Sequence, residues 1–102
     1  MVQGTYTIEE IKDLLRPLFD GVPIDKAILF GSYARNEATA ASDIDIYIDS
    51  NGRLNGLDFY GFCEELEAKI QKPVDAVEKI DLDTSSPLCQ SIYNKGIVIY
   101  DR

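Results

Sequence analysis

The 102-residue chain predicts an α+β domain, a mixed four-stranded sheet with helices packed on one face. Three observations predict it. Short apolar runs of strand length alternate with longer stretches of helical periodicity. Glycine, proline and capping residues punctuate nearly every boundary. The length, with 45% hydrophobic and 27% charged residues, suits one ordered core and leaves little chain for a second domain, so residues 1–102 are expected to form a single domain.

The elements follow in order. Thr7-x-x-Glu10 reads as a capping box, and Ile8, Ile11, Leu14, Leu15, Leu18 and Phe19 recur behind it at helical spacing, to an end near Pro17–Asp20. After Gly21-Val22-Pro23, the run Lys26–Phe30 suits a buried strand. Gly31-Ser32 is expected to turn the chain into a short helix through Tyr33, Ala34 and Arg35. A loop of small residues, Ala38–Ala41, leads to Ser42. From Asp43 to Asp49 the pattern alternates, with Ile44, Ile46 and Ile48 on one side and Asp43, Asp45, Tyr47 and Asp49 on the other, which predicts a strand with one buried face. Ser50–Gly56 reads as a loop. Phe59, Phe62, Cys63, Leu66 and Ile70 then stripe a helix from about Leu57 to Gln71. Pro73–Val77 reads as a third strand. Ser86-Pro87 opens a last helix, with Leu88 and Ile92 expected inward, until Gly96 stops it. Ile97–Tyr100 is the fourth strand.

Composition narrows the chemistry. Eighteen acidic residues against ten basic ones give a net charge of −8, which weighs against direct nucleic-acid binding and suits metal cations or basic partners. There is no histidine, so a His-dependent triad and a His-ligated zinc site are excluded, and carboxylates must carry any ionic chemistry. Cys63 and Cys89 have neither disulfide-framework nor metal-site spacing and read as plain residues of a reduced interior. No apolar run approaches the length that spans a bilayer, and the amino-terminal segment lacks a signal core, so the expected location is cytoplasmic with no membrane association.

Asp43-Ile44-Asp45 places two carboxylates on one face of a strand, close enough to share a hard cation, although the same spacing also arises on a solvated face. Upstream, Gly31 allows a phosphate near the backbone, and Ser32 serves either that phosphate or a helix cap. Arg35 can reach a phosphate or pair with Glu37 or Asp43. The Lys26–Phe30 and Asp43–Asp49 strands should be antiparallel neighbours, and a helical crossover should bring the third strand back parallel. That would return Asp75 to the same edge, where it is either a third carboxylate for a second metal and for proton removal, or a solvated strand residue.

Gly31-Ser32-Tyr33-Ala34-Arg35-Asn36-Glu37, a short loop, and Ser42-Asp43-Ile44-Asp45 together resemble the DNA polymerase beta-like nucleotidyltransferase superfamily, particularly its minimal bacterial and archaeal members. The resemblance extends over essentially the whole chain. It implies the nucleotidyltransferase fold, with Gly31, Ser32 and Arg35 holding a nucleoside triphosphate, ATP as donor, and Asp43, Asp45 and Asp75 as catalytic residues around two magnesium ions. It also implies in-line attack on the alpha-phosphorus with pyrophosphate leaving. Asn36 departs from the family's usual glycine, and asparagine is the non-glycine residue that best tolerates the left-handed backbone a turn there needs. Minimal members commonly act beside a helical HEPN-domain protein as a toxin–antitoxin pair. The resemblance therefore implies an antitoxin that binds or adenylylates its toxin. The alternatives are a non-catalytic nucleotide-binding or docking module, and the catalytic subunit of a small-molecule, antibiotic-type nucleotidyltransferase.

Overall fold

A computed structural model describes residues 5–54, 56–78 and 85–102; Asn55, in the expected loop, lies outside them. The elements are α1 (Ile8–Asp20), β1 (Lys26–Phe30), β2 (Ile44–Asp49), α2 (Gly56–Ile70), β3 (Val74–Glu78), α3 (Pro87–Lys95) and β4 (Ile97–Asp101). The capping box forms as expected: Glu10 N–H donates to Thr7 Oγ1 (3.1 Å) and Thr7 N–H donates to Glu10 Oε1 (2.8 Å). Two orphan amides at the helix start are thereby satisfied.

The sheet has the order β3-β2-β1-β4. β1 pairs antiparallel with β2 and with β4, whereas β2 pairs parallel with β3. The mixed sheet and both strand relations expected around the site are thus observed. α1 and α2 cover one face, where Ile11, Leu15, Phe19, Phe62 and Leu66 pack with Leu29 and with Ile44, Ile46 and Ile48 of β2. Burial of this many large aliphatic and aromatic side chains is the main force holding the sheet to the helices.

Three local expectations are corrected. The helices do not all share one face. α3 lies on the other side of the sheet, where Ile92 packs with Ile28 and Tyr47. In consequence β2 is not a one-faced strand: Tyr47 is fully buried, its hydroxyl 3.0 Å from that of Tyr93 and the two rings edge-on at 5.6 Å. The phase of α3 also differs. Cys89 and Ile92 face inward and Leu88 is 47% exposed: Ser86 Oγ caps the helix by accepting from Cys89 N–H, and it is the i, i+3 pair 89/92 that turns to the sheet, where Ile92 packs.

Both cysteines are free, Cys89 buried and Cys63 half-buried, in keeping with core residues. Burial first, then the neighbouring Glu67 carboxylate, pushes the Cys63 thiol up to about 11, away from the thiolate form that reactive cysteines need. Among the described residues no helix is long and apolar enough to cross a membrane.

Candidate active site

The site begins where β1 ends. Gly31 has φ +74°, a left-handed conformation that side chains other than glycine adopt at a cost. A Cβ at this position would fall on the carboxylate of Asp45. Glycine is therefore needed for two reasons, the turn and the close approach of Asp45. The chain then makes one helical turn rather than the expected short helix: Arg35 N–H donates to Gly31 O (3.1 Å), Asn36 N–H to Tyr33 O (3.3 Å) and Glu37 N–H to Ser32 O (2.9 Å). Asn36, at φ 59°, adopts the left-handed backbone expected of it and ends the helical path before a second turn can form. The N–H groups of Ser32, Tyr33 and Ala34 have no hydrogen-bond partner among the described residues, and Ser32 Oγ accepts no capping bond. What the segment offers an anion is unpaired amides and a hydroxyl, not the accumulated dipole of a long helix.

The downstream half is held from two sides. Within the Ala38–Ser42 loop, Ser42 Oγ accepts from Thr39 N–H (2.8 Å) and Thr39 O accepts from Ser42 N–H (3.0 Å). From the α2–β3 junction, Lys72 Nζ donates to Ala40 O (2.8 Å) and more weakly to Ser42 O (3.4 Å). Sequence reasoning missed Lys72, because no spacing rule links it to a loop 30 residues away. Only the parallel return of β3 brings it there. Pro73 O then accepts from Ile44 N–H (3.0 Å), which sets the start of β2 against the start of β3.

This register aligns the carboxylates. Asp45 lies opposite Phe30 on β1 and opposite Asp75 on β3, so Asp45 and Asp75 project from the same face. Asp43 comes one residue before β2 begins and is exposed, as is Asp75; Asp45 is half-buried. Their face is the one α3 covers farther along, at Ile28 and Tyr47, one pleat past Asp45. Burial raises the Asp45 carboxyl above its ordinary value, and the negative charges of Asp75 and then Asp43 raise it further; Arg35 opposes them. None of the three carboxylates accepts a hydrogen bond or forms an ion pair among the described residues. Arg35 has a partner of its own in Glu37 (Nε to Oε1, 2.8 Å), the ion-pair option of its two expected roles, while its charge still acts on Asp45.

This donor set fits magnesium. Three carboxylates without a histidine form a hard oxygen site, and a half-buried carboxylate repelled by two neighbours is one whose ionised form a divalent cation would stabilise. The side chains do not make a closed cage: among the described residues no group of three His, Cys, Asp or Glu side chains is gathered closely enough to hold an ion unaided. That is compatible with magnesium, which takes few protein ligands and completes its shell with water and phosphate oxygens. A groove of about 390 Å³ lies elsewhere, between α1 and β4. Another of about 250 Å³ lies behind the Gly31–Asn36 turn, lined in part by Tyr33, whose buried hydroxyl has no partner among the described residues.

Comparison with known proteins places this geometry. The family model for polymerase beta nucleotidyltransferases matches residues 9–102. A Methanocaldococcus jannaschii protein named "Putative protein adenylyltransferase" is 39% identical over 70 residues, covering 69% of this chain and 75% of that protein. The protein adenylyltransferase MntA of Thermococcus cleftensis is 36% identical over 80 residues, covering 74% and 81%. Among solved structures, a chain of a toxin–antitoxin crystallised with AMP-PNP superposes with a TM-score of 0.73 at 26% identity, over 95% of this chain and 75% of that one. A chain from the complex of tri-AMPylated Shewanella oneidensis HEPN toxin with MNT antitoxin, at 23% identity, shares the fold with a TM-score of 0.71 over 93% and 73%.

Proposed function

The chain belongs to the polymerase beta nucleotidyltransferase family, and from that premise we propose that it is a protein adenylyltransferase that uses ATP and magnesium in the cytoplasm, acting as the antitoxin of a HEPN-type toxin. The observation that carries the reading is the placement of Asp45, in register with Asp75 and in contact range of Gly31. In this reading the groups proposed to bind the donor and to accept the proton share one junction of β1, β2 and β3. The relatives named as protein adenylyltransferases, and the toxin–antitoxin pair crystallised with AMP-PNP, support the choice of a protein acceptor and an adenine nucleotide.

In this reading the free amides of Ser32, Tyr33 and Ala34 and the Ser32 hydroxyl bind the triphosphate, and Arg35 adds positive charge beside them. Asp43, Asp45 and Asp75 hold two magnesium ions, which when bound offset negative charge on the phosphates. The acceptor is a side-chain hydroxyl of the partner. Its oxygen bonds to the alpha-phosphorus as the bond to the pyrophosphate oxygen breaks, and its proton passes to the Asp75 carboxylate. Gly31 keeps the turn close to Asp45, so the phosphate-binding amides and the carboxylates act on one triphosphate. Lys72 and Ser42 hold the loop before Asp43 and thereby position the carboxylate pair.

The test is to mix the chain with a HEPN-domain protein from the same genome, ATP and magnesium, and to measure the intact mass of both. The expected result is addition of whole AMP units to the partner, absent with Asp45→Asn or without magnesium. Tight complex formation with no mass gain on either protein would overturn the adenylyltransferase reading in favour of a docking module.

A further inference from the structure

We propose that the free edge of β4 and the charged stripe of α1 beside it form a two-fold interface with a second copy of this chain. Among the described residues β4 ends the sheet order, so one side of its backbone pairs with none of them, and an unpaired edge is a template for another strand. Val98, on this edge, is 42% exposed. The groove of about 390 Å³ running along it is bounded by Glu9, Lys12, Asp13 and Arg16 of α1 and by Val98–Asp101 of β4.

The order of those four charges points to the occupant. They lie at i, i+3, i+4 and i+7, on one stripe of the helix. Read along α1 the signs are minus, plus, minus, plus, symmetric with inversion about the point between Lys12 and Asp13. Antiparallel pairing of β4 with its own copy creates a dyad normal to the sheet, which also sets the two α1 helices antiparallel on the same face. Glu9 then opposes Arg16 of the copy, and Lys12 opposes Asp13, in both directions. Every cross-dyad pair is attractive. Of these four, among the described residues, Lys12 and Glu9 form an ion pair, a long one at 3.9 Å, and Asp13 and Arg16 have none. The register of β4 against β1 slips between Ala27 and Ile28, leaving Ile99 as an extra residue. Such a bulge twists an edge and restricts which strands can pair with it; a dyad-related copy carries the matching twist. Because β4 is at the opposite end of the sheet from β3, the dimer leaves the edge bearing Asp75 open in both protomers.

The experiment is sedimentation velocity on the 102-residue protein across concentration and salt, with two variants. Lys12→Glu/Arg16→Glu makes the stripe wholly acidic and Glu9→Lys/Asp13→Lys makes it wholly basic. Wild type is expected to dimerise reversibly and more weakly as salt rises. Each variant alone should dissociate at least about tenfold more readily, and a one-to-one mixture should restore dimers as heterodimers. Circular dichroism confirms that both variants are folded, and Val98→Lys, which leaves the stripe intact, should also dissociate the wild-type dimer. A wild-type protein that stays monomeric at low salt, or a dimer indifferent to both charge variants and to Val98→Lys, would overturn the proposal.

Discussion

Gly31→Ala provides the sharpest test of the β1–β2 junction. The position has φ +74°, and an added Cβ falls on the Asp45 carboxylate. Gly56 is the natural control, since it has φ +57° but nothing within 4 Å of its added Cβ. Both alanine variants incur the left-handed penalty of about 1–2 kcal/mol, partly offset by the reduced entropy of the unfolded chain. Only Gly31→Ala must also displace Asp45, an overpacking cost of about 1–3 kcal/mol. Taking about 2 kcal/mol for that difference, a domain of this size should show Gly31→Ala melting roughly 8–16 °C below Gly56→Ala. The assay is thermal unfolding followed by circular dichroism, repeated with ATP and magnesium. Gly56→Ala should retain the ligand-induced rise in Tm, and Gly31→Ala should lose it because the carboxylate and the turn have moved apart. If the two variants melt together and Gly31→Ala keeps the full ligand response, the argument that glycine is needed to bring the turn against Asp45 fails.

Other perturbations separate function from stability. Asp45→Asn should raise the Tm of the ligand-free protein at pH 7 while abolishing its response to ATP and magnesium. The sign follows from linkage: burial and the charges of Asp75 and Asp43 raise the folded-state value of Asp45 above its ordinary one, so ionised Asp45 weakens folding. That penalty is absent below the unfolded-state value and develops as pH rises through the folded-state value, so the advantage of asparagine should vanish in strong acid; a Tm gain that persists there would refute the cause assigned. Tyr93→Phe should cost about 1–3 kcal/mol in urea unfolding, because it takes from the hydroxyl of the fully buried Tyr47 its hydrogen bond to Tyr93; no loss would mean that the hydroxyl finds another partner. Thr7→Ala removes the Oγ1 acceptor of the Glu10 N–H while the backbone N–H of residue 7 can still donate to Glu10 Oε1, and should lower stability by about 1 kcal/mol, with ATP binding unchanged.

What could be read without coordinates was what depends on local pattern. The capping box, the β2 isoleucines, the left-handed tolerance of Asn36 and the Asp43/Asp45 spacing are all set by residues within a few positions of one another, where helical and strand periods dictate direction. The parallel relation of the third strand followed from its helical crossover, and the antiparallel one from the turn that joins the end of the Lys26–Phe30 strand to the start of the Asp43–Asp49 strand. The features missed or misjudged share a different cause. Tyr47 looked like a solvated-face residue until α3 covered it, and the phase of α3, which brings Cys89 rather than Leu88 inward, depends on the surface it meets. The Gly31–Asn36 segment stops at one turn because Asn36 leaves the helical path, a choice of backbone well that the sequence allows without requiring. Lys72 reaches the Ala40 and Ser42 carbonyls only because β3 lies beside β2.

The sequence by itself determined which groups are present for chemistry: three hard carboxylates, no histidine, and a glycine–serine turn, with the family resemblance those residues carry. Tertiary structure alone decided their environment. Register brings Asp75 opposite Asp45, packing half-buries Asp45 between like charges, and the turn presses Gly31 against it. The physical reason is range. Side-chain direction is a local property of the backbone, whereas burial and electrostatic repulsion are summed over residues that are distant in sequence and become neighbours only when the sheet closes.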